Sequence, residues 1–192
     1  MSLPTPATTQ TLGYVLLRLR ALLASSQLTT ELTAQQTALR TQAGDSNLTL
    51  PAPALVVIGM PDTVETAGQL APGIALWSSQ PDEVVPDVAG DTLHVRSRIA
   101  VMTVLASADT GARDEQGQYL AILAYAHAIG TVAMRDLRGA SWGSLAGVYE
   151  CRIVSLAATP APVQVDDGWA YRYSMTELEI DWQTAQPAPL NP

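Results

Sequence analysis

The stretch Tyr171–Gln183, YRYSMTELEIDWQ, decides how the chain is read. From Glu177 onward acidic and apolar residues alternate, with Glu177, Glu179 and Asp181 in one set and Leu178, Ile180 and Trp182 in the other. A period of two belongs to a strand with one buried and one wet face, so the segment predicts three carboxylates in a row on one side of a sheet. Three readings of that row are open: an acid/base or metal site, a row neutralised by a basic strand, or a surface that repels something negative.

A basic strand is at hand. Thr92–Ser107, TLHVRSRIAVMTVLAS, alternates His94, Arg96 and Arg98 against Val95 and Ile99 and then turns apolar. This predicts a long strand, half exposed at its first end and buried at the second. Beside the acidic row, Arg96 and Arg98 would contribute about 0.2–1 kcal/mol per opposite-charge pair, and Arg152 is a second source of positive charge. Unpaired carboxylates about 7 Å apart on one strand repel by roughly 0.6 kcal/mol in water and about 2.4 kcal/mol at an effective dielectric of 20. Such a row is cheap when wet and costly when buried alone.

The remaining elements are read outward from these two strands. Gly147–Ala157 and Trp169–Trp182 predict a long C-terminal β-hairpin, with Asp167-Gly168 as a turn in its Pro-rich connection. Ala54–Gly59, ALVVIG, predicts a short buried strand. From Thr11 to about Gln42, Leu12, Leu16, Leu19, Leu23, Leu28, Leu32 and Leu39 recur at the helical period, as one amphipathic helix or two broken near Ser25-Ser26. Tyr119–Leu137 predicts a strongly apolar helix with Leu120, Leu123, Ala124, His127 and Ala128 near one stripe, so that His127 reads as a core histidine. Asp114 and Glu115 suit a first helical turn, Arg135 and Arg138 suit the end, and Gly139 closes it. Residues 61–90, with prolines at 61, 72, 81 and 86, hold one short strand, Gly73–Ser78, and otherwise read as a long loop suited to interaction.

These elements predict an α/β domain in the α+β sense: a mixed, mostly antiparallel sheet packed against helices, ending in the long hairpin. The expected organisation is a flexible arm over residues 1–10, a single domain over 11–183, and a disordered tail over 184–192. At 192 residues and 47% apolar composition the chain has material for a sizeable core. A net charge of -8 disfavours tight binding of nucleic acid, which needs cations against phosphates. One cysteine, Cys151, leaves no internal disulfide and suits a reducing cytoplasm. No apolar run is long enough for a membrane helix, and MSLPTPATTQ lacks the pattern of a signal peptide, so neither membrane nor export signal is expected.

The sequence motifs for chemistry fail one by one. His94 and His127 stand 33 positions apart and the lone cysteine has no C-x-x-C partner, so no metal site is expected. Gly143-Ser144-Leu145-Ala146-Gly147 has leucine where a nucleophile elbow needs serine. With no lysine in the chain there is no phosphate-binding P-loop. Cys151 lies in an apolar strand pattern and reads as structural and inert. Carboxylates at i and i+2 on one strand point the same way, whereas a glycosidase pair must flank a bond. Catalytic, cofactor-binding and metal residues are accordingly expected to be none, and the chain is read as not an enzyme.

The order of elements resembles the tail terminator (tail completion, head-tail joining) proteins of long-tailed bacteriophages. It is carried by an N-terminal helix, a short apolar strand, a Pro-rich loop, the long strand R-S-R-I-A-V-M-T-V, a helix of about twenty residues and a closing hairpin with alternating acids, over roughly Leu12 to Trp182. The resemblance implies a structural virion protein, assembled in the bacterial host cytoplasm, that forms a homohexameric ring capping the tail tube. Its partners would be further copies of itself, the tail tube protein, the head-side connector or neck protein and, in contractile tails, the sheath. DNA would pass through the lumen without specific binding, and Arg96, Arg98, Arg152, Glu177, Glu179 and Asp181 would be lumen or intersubunit charges. Another neck or connector ring component is the alternative of the same class, and a small α/β enzyme using the acidic row that of a different one.

Overall fold

The acidic-apolar stretch is a strand, and it lies beside the basic one. In the computed structural model, which describes residues 12–62, 68–86, 92–137, 148–159, 162–164 and 170–185, β4 (Thr92–Ala106) and β7 (Ala170–Ala185) pair antiparallel along the whole of β4, from Thr92 opposite Ala185 to Ala106 opposite Tyr171. Among the described residues the sheet has seven strands, with a main path in the order β1-β2-β4-β7-β5, where β1 is Leu55–Ile58, β2 Gly73–Ser78 and β5 Val148–Ala158. Two short strands lie off this path: β3 (Glu83–Pro86) pairs with the start of β4, and β6 (Val163–Gln164) with the start of β7. Among the described residues, only β1 and β2 run parallel. The fold is α+β, with β5 and β7 as the C-terminal hairpin.

Helices cover one face of this sheet. α1 (Leu12–Leu23) and α2 (Ser26–Ala43) are separate, because Ser25 breaks the chain between them. Its hydroxyl donates to Leu22 O at 2.6 Å and accepts from Gln27 N at 3.2 Å, closing one helix and capping the next. Val15, Leu16, Leu19, Leu23, Leu28 and Leu32 are buried, so the leucine stripe serves the core. α3 (Glu115–Asp136) is capped by Asp114, whose carboxylate accepts from Gly117 N at 2.7 Å, and starts four residues before Tyr119. It packs against α1 and α2 as well as against β5 and β7.

That double packing corrects the reading of His127. Of the expected stripe Leu120, Leu123, Ala124, His127 and Ala128, the two alanines are buried, together with Ala121, Ile122, Tyr125, Ile129 and Val132. His127 is exposed and shares a helical stripe with Gln116 and Met134, also exposed, while Leu120 and Leu123 are half-buried. A helix held between two layers buries its alanines because they permit close approach, and the histidine falls on the strip left over.

Three further expectations need revision or lie elsewhere. Residues 61–90 contain a second strand, β3, whose four residues EVVP were too short and too close to proline to register. β7 runs to Ala185, past the expected start of the tail. The arm at 1–10, Arg138, Gly139 and the Asp167-Gly168 turn lie outside the described residues.

On the helix side of β7, Leu178, Ile180 and Trp182 are all buried, worth about 1.5–3 kcal/mol for each aliphatic side chain. Trp182 Nε1 donates to Ser97 Oγ at 2.8 Å, and Ser97 Oγ donates to Asp82 Oδ1 at 2.6 Å, tying β7 and β4 to the segment entering β3. Gly73 starts β2 where a Cβ would run into the backbone oxygen of Leu70, whereas Gly44 ends α2 at a φ of 64° with open space around it. Gly73→Ala is therefore expected to cost about 1–3 kcal/mol by overpacking against backbone. Gly44→Ala should cost roughly 1 kcal/mol through the left-handed conformation alone. Urea denaturation of both variants checks the order.

Candidate functional site

Strand register brings the charged residues of the sequence to the sheet face opposite the helices. Arg96 stands opposite Asp181 and Arg98 opposite Glu179 across β4 and β7, while Arg152 of β5 stands opposite Glu179 from the other side. Cross-strand partners share a face, so three strands deliver their charges to one patch. All six expected residues are on it, but they are not treated alike.

Glu179 is the node. Its side chain is only 4% exposed, against 31% for Asp181, and it is reached by three guanidinium groups. Arg98 Nε donates to Oε2 at 3.2 Å, Arg96 Nε lies 3.3 Å from Oε1, and Arg152 Nη2 also bonds Oε1. Arg96 is shared, because it also grips Asp181 with two bonds, Nε to Oδ1 at 2.8 Å and Nη2 to Oδ2 at 3.4 Å. Its Nη1 reaches Glu83 Oε2 of β3 at 3.5 Å. The hydrogen bond and charge of Asp181 raise the Arg96 guanidinium above its ordinary value.

Glu177 breaks the pattern. It faces Ala100 rather than an arginine, and accepts from Ser79 Oγ at 2.8 Å. The row is thus two ion-paired carboxylates and one held by a hydroxyl. Burying Glu179 alone would be prohibitive, and the three arginines, each at least 36% exposed, make its position tenable while keeping their outer ends in water.

Sequence reasoning did not name Ser79, Glu83 or Glu150 as members of this patch. Glu150 stands opposite Asp181, and its alternation with Arg152 in the stretch Val148-Tyr149-Glu150-Cys151-Arg152 was a legible signal. Glu83 was hidden by the shortness of β3, and nothing in the sequence marks Ser79. At the other end the same face becomes apolar and aromatic, where half-buried Trp77, Met102, Tyr171 and Tyr173 pack around buried Ala75 and Val104.

What this patch can do chemically follows from its geometry. The oxygens of Glu179 are engaged by guanidinium donors, the arrangement of an ion-pair node rather than of a base open to a substrate. Among the described residues, no group of three or more His, Cys, Asp and Glu side chains is placed to hold a metal ion. Cys151, opposite Ile180 on the helix side, is buried.

No protein-family model matches the chain, and no curated protein sequence matches it. Among solved structures, the chain is similar to one from a particle described as "Virion of native gene transfer agent (GTA) particle". The two share 14% identity with a TM-score of 0.33, over 84% of this chain and 93% of that one.

Two measurements test the site. Glu179→Ala leaves three guanidiniums facing one another, and is expected to cost roughly 2 kcal/mol, below the 3–5 kcal/mol of a fully buried pair because the arginines are part-solvated. Glu177→Ala should stay within about 0.5–1 kcal/mol in the same urea titration. Burial, then the charge of Glu150, pushes the Cys151 thiol up to about 12, from an ordinary value of about 8.5. Because the folded value is raised, the stabilisation from the neutral thiol is complete below about pH 8.5 and is lost as pH rises toward 12. Maleimide at pH 8 should label the native protein far more slowly than the urea-unfolded chain, and the urea midpoint should fall above about pH 9.

Proposed function

We propose that the chain is a structural virion protein of a phage head-tail junction, a tail terminator that assembles as a ring on the tail tube and joins it to the head-side connector. The observation that carries this reading is the one-sided packing of the sheet. α1 and α3 lie against one face with α2 packed on them, and the other face of the long strands β4 and β7 presents an ion-paired patch continuous with an aromatic one. Such a face suits a surface turned toward other copies or toward a channel, and its carboxylate row is built for neutralisation rather than for turnover. The order of elements, with the short apolar strand, the Pro-rich connection, the long central strand and the closing hairpin, supports the same reading.

In the ring, the open face and the acidic connections line or flank the channel. Glu83, Glu150, Glu177, Glu179 and Asp181 outnumber Arg96, Arg98 and Arg152 on that face by five to three. A channel wall with excess carboxylate repels phosphate, which lets DNA pass without adhering.

Electron microscopy of the purified protein, alone and mixed with tail tubes, checks the proposal. A six-fold ring decorating one end of the tube is expected. A monodisperse monomer at high concentration, and in the presence of tubes, overturns it.

A further inference from the structure

We propose that neighbouring copies of the chain join edge to edge, the β1 margin of one sheet packing its apolar side chains against the β5 margin of the next. The contact rests on the ring reading and specifies how the ring closes. Six large apolar side chains left exposed among the described residues sit at these two margins. At one, Leu17 and Leu55 line a groove between α1 and β1, and Ile58 and Met60 follow along the chain, Met60 being 68% exposed. At the other, Val154 is 41% and Leu156 36% exposed. Neither residues 54–60 nor residues 153–159 include a charged side chain. Interface cores are depleted of charge, and contiguous exposed apolar patches mark contact sites.

Strand register puts the two margins at one level. Ile58 stands opposite Leu76, Leu76 opposite Val101, Val101 opposite Thr176, and Thr176 opposite Leu156. Cross-strand partners share a face, and Thr176 donates to Ala126 O of α3, so Ile58 and Leu156 end one row of the sheet on its helix side. The adjacent row ends in Val57 and Ala157, through Ala75, Met102 and Met175. A closed ring is generated by rotation without rise. With the ring axis along the long strands, a patch therefore meets a patch at its own level on the next copy. Four strand spacings, about 19 Å, separate the two margins within one copy, so β5 cannot cover its own β1. The patches differ, which makes the contact heterologous, and a heterologous contact that closes makes a ring.

Side chains rather than backbone make this contact. Arg20 Nε of α1 already holds a β1 backbone oxygen, Val56 O, at 2.9 Å, and β5 is bulged between Ile153 and Ser155. Both devices limit an added backbone ladder, which blunts open-ended growth of the sheet. The exposed apolar side chains remain, and burying them supplies the affinity.

The test is site-directed cross-linking in the full chain. Ile58→Cys and Leu156→Cys are made singly and together, and a short bis-maleimide is added at neutral pH, where buried Cys151 reacts slowly. On a denaturing gel the double variant should give covalent multimers up to the size of the ring. Each single variant should stay monomeric, and an equal mixture of the two should give dimer and nothing larger. In light scattering after size exclusion, Ile58→Glu and Leu156→Glu should each weaken association at least roughly tenfold, since each puts a charge into an apolar contact. Circular dichroism of both is expected to match the wild type. Single variants that cross-link to themselves, a double variant that forms rings without cross-linking, or rings that survive both charged variants overturn this contact while leaving the ring. A wild-type chain that never assembles overturns the contact together with the reading it rests on.

Discussion

The antiparallel ladder between β4 and β7 is the constraint on which the rest of the molecule depends. It runs the full 15 residues of β4. Because side chains alternate faces along both strands, one register assigns every residue of this pair to a side. Val95, Ile99, Val101, Leu178, Ile180 and Trp182 go to the helices, and Arg96, Arg98, Glu177, Glu179 and Asp181 go to the open face. A slip of one residue would put carboxylates under α3 and leave the tryptophan in water. The apolar side therefore enforces the ion pairs of the other side, at an energy far above that of any single pair.

Within that frame the chemistry of arginine matters. All the cations of the patch are guanidiniums, which keep charge under all ordinary conditions and present several donors in a plane. This is why one buried carboxylate serves three strands at once, and why Arg96 bonds Asp181 while still touching Glu179 and Glu83. A lysine on a flexible stem would supply one point charge and lose more entropy in holding it. The buried Arg172, on the helix side of β7, is another case: it donates to the backbone oxygen of Glu115 at 3.3 Å and to Gln118 Oε1 at 3.4 Å, joining the sheet to the first turn of α3.

Much of this was legible because period-two alternation is a strong signal in long strands. The charge order in Thr92–Ser107 and in Tyr171–Gln183 allowed Arg96 and Arg98 to be matched with the acidic row, and Arg152 was legible as a second cation. The failures have a common physical cause. β3 is held by its register on β4 rather than by its own four residues, so no local pattern announces it. His127 was misassigned because a helix held between two layers uses alanines for its core, and its leucines mark the half-exposed side. Ser79 reaches Glu177 from a position 98 residues away in sequence, a contact only the assembled sheet creates.

Charge balance refines what the acidic row means. The chain has 18 acidic residues and 10 basic ones. Six of the acids lie in residues 61–91 and two more, Asp166 and Asp167, in the connection before β7, and neither segment holds an arginine. The remaining ten acids equal the ten arginines in number, so the excess of eight acids equals the number in these two stretches. Within the sheet, the carboxylates of Glu179 and Asp181 are screened by cations a few ångströms away, and their field decays quickly with distance. Of the acids in the first stretch, Glu83 is paired with Arg96 and Asp82 accepts from Ser97, both on β4. The row of Glu179 and Asp181 is therefore first of all an ionic seam that ties β7 to β4 and β5, and any net negative charge on that face comes from the carboxylates left over once its three arginines are used.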